Sequence, residues 1–103
     1  MTHNERLVAI LEEHPELRPE SLIFDPPHNP CGRYSGWYDN GAPCTDVTAA
    51  AAIVLSMLTH LPQPAAYYPK RRNGNPLIIH EYEKTEWSAP TPLETLMLFW
   101  ESR

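Results

Sequence analysis

With 103 residues, 42 % of them hydrophobic, and a net charge of −5, the chain is expected to form a single compact domain over 1–103, without room for a separate substrate domain. The imbalance lies wholly in residues 1–52, where eight acids face three arginines, while residues 53–103 hold five of each sign. An acidic chain lacks the positive footprint of a general nucleic-acid binder, so nucleic acid is not expected as the sole partner.

Thr2 and Glu5 stand in capping-box spacing ahead of Leu7, Ile10, Leu11 and His14 on one helical face, which predicts a first helix over residues 3–13. Pro15 ends it, because proline has no N–H to give and its ring collides with the preceding turn. Ser21-Leu22-Ile23-Phe24 reads as a short strand between Pro19 and Pro26-Pro27. From Asp25 to Cys44 the chain is dominated by Pro, Gly and aromatic residues, and Asp39-Asn40-Gly41 is a strong turn signal. A long irregular segment of this kind either packs as a lid over the core or serves function.

Residues 45–61, closed by Pro62, carry Val47, Ala50, Ala51, Val54, Met57, Leu58 and Leu61 at three- and four-residue steps. With Ala49, Ala52, Ile53 and Leu55 added, the apolar face widens until only Thr48, Ser56 and Thr59 are plainly polar, which predicts a buried central helix. This longest apolar run falls short of the roughly 20 residues a membrane span needs. No charged-then-apolar leader opens the chain, so a cytoplasmic protein with reduced Cys31 and Cys44 is expected.

Beyond Pro62, Asn73-Gly74 separates two β-prone runs, residues 65–72 and 75–83. Both central residues of a type I′ turn need positive φ, so this dipeptide predicts a hairpin, with Tyr68 opposite Ile79 and Tyr67 opposite His80. Pro69 cannot donate to a ladder, which makes the first strand an edge. Thr91-Pro92-Leu93-Glu94 then combines an N-cap, a first-turn proline and a capping-box acid. The resulting helix, about 92–102, lines up Leu93, Leu96, Met97 and Trp100. Leu98 and Phe99 fall off that stripe and suit either a second packing contact or a homodimer surface. The expected fold class is α+β: three helices, the central one buried, packed on a small antiparallel sheet containing a β-hairpin.

Three sets of residues bear on function. Lys70-Arg71-Arg72, beside Tyr67 and Tyr68, is the one basic cluster. Together with Trp37, Tyr38 and neighbouring Tyr34 it supplies the Trp, Tyr and Arg that dominate interface energetics. Cys44 stands just before the central helix, where the helix dipole stabilises a thiolate. His80 follows on a strand as a base, with Glu81, Glu83 or Asp46 to orient it. That order, cysteine before a helix and histidine on a later strand, resembles the order in papain-like cysteine hydrolases, and the resemblance is one of order only. Lastly, His28-Asn29-Pro30-Cys31 is a knuckle-like pair that Cys44, with His80 or Asp25, would complete around zinc. His60 is too distant from Cys44, about 24 Å along a helix rising 1.5 Å per residue. A Cys31–Cys44 disulfide would not persist in a reducing compartment.

With no phosphate-loop, nucleotide or paired-knuckle motif, the residues favour a small non-enzymatic protein that binds and regulates another protein or protein complex. An inhibitor or adaptor of a phage or other mobile element is of this kind. The binding residues are Trp37, Tyr38, Tyr68, Arg71 and Arg72, and no cofactor or membrane partner is expected. A thiol hydrolase using Cys44 and His80 is the alternative, and a zinc-stabilised module using His28, Cys31 and Cys44 the third.

Overall fold

The structure, a computed structural model, describes residues 3–19 and 47–103. Helix α1 spans His3–Glu13, α2 Val47–Thr59 and α3 Pro92–Glu101; strands β1 (Ala65–Arg72), β2 (Asn75–His80) and β3 (Thr85–Ser88) form one antiparallel sheet in the order β1-β2-β3. The protein is therefore of the α+β class, and its sheet is the expected hairpin extended by one strand. The chain divides into two compact units, residues 1–56 and 57–103. The predicted Thr2 cap, the strand at 21–24 and the loop at 25–44 lie outside the described residues.

In the first unit α1 buries Leu7, Ile10 and Leu11 and leaves Glu12 and Glu13 exposed, the one-sided pattern expected of its spacing. Its last hydrogen bond before the break is His14 N–H to the Ile10 carbonyl at 2.9 Å. The next donor in the ladder would be residue 15, which is proline. The Leu11 carbonyl that it would have satisfied instead accepts Arg18 Nε–H at 2.8 Å, so a side chain replaces the missing backbone donor. Pro15–Leu17 then forms a single 3-10 turn that buries Leu17 completely. The Leu17 carbonyl accepts the Ser56 hydroxyl of α2 at 2.7 Å. Ser56, a polar break in a nearly continuous apolar run, thus satisfies a part-buried carbonyl.

Along the described turns of α2, Ile53 and Met57, four residues apart, are fully buried, whereas Leu55 is 65 % exposed. Alanine and leucine make a good helix whichever side is covered.

The second unit is built on β2, which buries Pro76, Leu77 and Ile78 in succession. A central strand contributes side chains to both faces, so its apolar run is continuous rather than alternating. The hairpin turns through Asn73 (φ 54°) and Gly74 (φ 82°), both left-handed as the type I′ turn requires. The register differs from expectation by two residues. Tyr67 pairs with Ile78 and Tyr68 with Leu77, and the shift occurs between Tyr68 and Arg72. Pro69 and Pro76 explain it. Neither has an N–H for the ladder, so Pro69, Lys70 and Arg71 bulge opposite Pro76 instead of pairing one to one. Because the slip is even, each side chain keeps its expected face. As predicted, β1 is an edge among the described strands.

Paired residues place Ala65, Tyr67, Ile78, His80, Thr85 and Trp87 on one face of the sheet and Ala66, Tyr68, Leu77, Ile79, Glu86 and Ser88 on the other. Helix α3 lies against β2 and β3. Its start is the expected cap: Pro92 sits in the first turn and Thr91 Oγ1 accepts Glu94 N–H at 3.2 Å. Leu96, Met97 and Trp100 are buried, and so is Phe99. Phe99 meets Trp87 edge to face at 5.0 Å between ring centroids and Trp100 at 5.3 Å. Phe99 thus makes the packing contact foreseen for it.

Candidate interaction surface

The hairpin tip is the most cationic surface among the described residues. Pro69 through Gly74 are all exposed, and the segment Pro69–Pro76 carries Lys70, Arg71 and Arg72 with no acid. The bulge that the two prolines impose makes this arrangement, since it frees Lys70 and Arg71 from strict pairing. The Arg71 guanidinium stacks over the half-buried Tyr68 ring, 4.5 Å from its centroid. The cation is held there by the ring's negative face, and the guanidinium carries five N–H donors for a partner. Arg72 reaches across the sheet to pair with the Glu86 carboxylate of β3. Tyr67, on the opposite face, has its phenol pKa raised by burial and belongs to the packing.

A second polar constellation sits at the other end of β2. His80 Nδ1 accepts Glu83 N–H at 3.2 Å, and His80 Nε2 lies 2.9 Å from Glu83 Oε2. This pattern assigns the imidazole proton to Nε2. The same carboxylate oxygen is 3.0 Å from Arg103 Nη1. The Arg103 guanidinium covers Phe99 at 4.9 Å and Trp87 at 5.5 Å. Glu83 has its pKa lowered, chiefly by the Arg103 hydrogen bond and further by the Arg103 charge. The cluster ties the β2–β3 turn to the end of α3 and holds both imidazole nitrogens. For His80 to move a proton as a general base, Glu83 would have to withdraw.

The expected site residues are thus distributed unevenly. Tyr68 and Arg71 are brought into contact, and Arg72 lies beside them at the tip. Trp37 and Tyr38 lie outside the described residues, as do Cys44, His28, Cys31, Asp25 and Asp46. Tyr82, which falls within the β-prone run expected over 75–83, stands instead in the β2–β3 turn and is 80 % exposed. Among the described residues no three His, Cys, Asp or Glu side chains converge as metal ligands, and no helix is long and apolar enough to cross a membrane. Sequence reasoning did not foresee the Arg72–Glu86 and Glu83–Arg103 pairs. Their partners are far apart in the chain, and only the i, i+3 spacing of His80 and Glu83 was a local cue.

No protein family, curated protein or solved structure matches the sequence.

Proposed function

We propose that this is a small cytoplasmic protein that acts without catalysis, binding another protein or protein complex as an inhibitor or adaptor does. The observation that carries the reading is the exposed hairpin tip, where Arg71 is stacked on Tyr68 beside Lys70 and Arg72. An arginine already ordered on an aromatic ring loses little conformational freedom on binding, and Arg and Tyr are the residue types that concentrate interface energy. Nothing in the core requires three adjacent cations at a hairpin end.

Affinity capture from cells with the intact protein and with an Arg71→Ala, Arg72→Ala variant tests this. A discrete partner should be retained by the first and lost by the second, with circular dichroism showing the same fold for both. Capture that ignores the substitutions, or no discrete partner under either condition, would sink the reading.

A further inference from the structure

We propose that the hairpin tip receives a carboxylate-rich segment of the partner protein, and that Glu86 holds part of this receptor in reserve by pairing with Arg72. The inference rests on the protein-binding reading above and names the chemistry of its partner.

Three observations carry it. First, the exposed segment from Pro69 to Gly74 bears three cations and no anion, so its field is locally positive although the chain is acidic. Second, Arg71 is held over the Tyr68 ring at the exposed tip, and its guanidinium is the planar fork of N–H donors that matches a carboxylate two-to-two. Third, a carboxylate is already seated on the tip: Glu86 from β3 occupies Arg72. The side chains of Arg72 and Glu86 are 49 % and 42 % exposed. An ion pair this open to water is weak, so an incoming carboxylate exchanges for it readily.

The alternative polyanion, nucleic acid, fits less well. Three cations give little affinity for a phosphate backbone at physiological salt. Stacking of bases needs an open aromatic face, and the Tyr68 ring is half-buried and covered by Arg71. A long polyanion would also extend beyond the screening distance of about 8 Å and meet the rest of the unit 57–103, where five glutamates outnumber Lys84 and Arg103. A short acidic segment meets only the tip.

Fluorescence anisotropy with a labelled octaglutamate peptide tests the proposal on the full chain, with a labelled oligothymidine of equal charge as the competing class. Saturable peptide binding is expected, weakened by added salt. Arg71→Gln should weaken it several-fold, through loss of the guanidinium fork. Glu86→Gln should strengthen it about two- to five-fold, the factor that a weak exposed pair is worth. All substituted side chains are at the surface, and circular dichroism confirms that each variant is folded. The proposal is overturned by an absence of saturable peptide binding, by a Glu86→Gln variant no tighter than the parent, or by tighter binding to oligothymidine than to the peptide. In each case cellular capture that still depends on Arg71 and Arg72 keeps the broader protein-binding reading, so the two fail separately.

Discussion

Thr95 shows how one residue fastens a helix to the segment before it. It is completely buried, and its hydroxyl accepts Ala89 N–H at 3.1 Å while its single proton lies between the Thr91 carbonyl at 2.9 Å and the Ala89 carbonyl at 3.2 Å. One side chain therefore satisfies the polar backbone groups that a chain entering a buried helix would otherwise strand. Thr95→Val keeps the shape and removes the hydroxyl, leaving the Ala89 N–H without this acceptor. The expected cost is about 1–3 kcal/mol of unfolding free energy, the penalty for a buried donor left unmade, and urea denaturation measures it. A loss within a few tenths of a kcal/mol would mean that water or a neighbour takes over the bond.

At the scale of elements, the hairpin combines a turn dictated locally with a register set by what the strands cannot do. Asn73 and Gly74 supply the two positive φ angles, and a Cβ built on Gly74 would meet nothing within 4 Å. Gly74→Ala therefore introduces backbone strain alone, with no clash, and should cost about 1–2 kcal/mol. Thermal unfolding of the purified variant checks this; a stability equal to the parent would show that the turn relaxes out of the left-handed region. The prolines, in contrast, act through absence. Pro15 ends α1 and leaves the Leu11 carbonyl to Arg18, while Pro69 and Pro76 together force the bulge that presents Lys70 and Arg71. The composition of the strands suggested pairing up to the turn, and the missing donors decided where that pairing stops.

For the molecule as a whole, charge pairs between distant segments are where pH enters. Glu83 has its folded pKa lowered, chiefly by its hydrogen bond with Arg103. Its contribution to stability is therefore fully present above the ordinary carboxylate range and is lost as pH falls through the lowered folded value. Glu83→Gln should reduce stability at neutral pH, and the gap from the parent should close on acidification; chemical denaturation at neutral and acidic pH measures both. A gap that stays constant into acid would mean that the Glu83 charge is not what joins the β2–β3 turn to α3. Much of the rest was legible in the chain itself. Helix α1, the capped start of α3, the Asn73-Gly74 turn and the edge position of β1 follow from local chemistry, because capping groups, apolar periodicity and proline act over a few residues. The tertiary structure alone decided the burial of Phe99 against Trp87, the use of Ser56 by the Leu17 carbonyl, and the Arg72–Glu86 and Glu83–Arg103 pairs. Such contacts join residues separated by 12 to 39 positions, and no helical or strand period encodes which distant side chain will arrive.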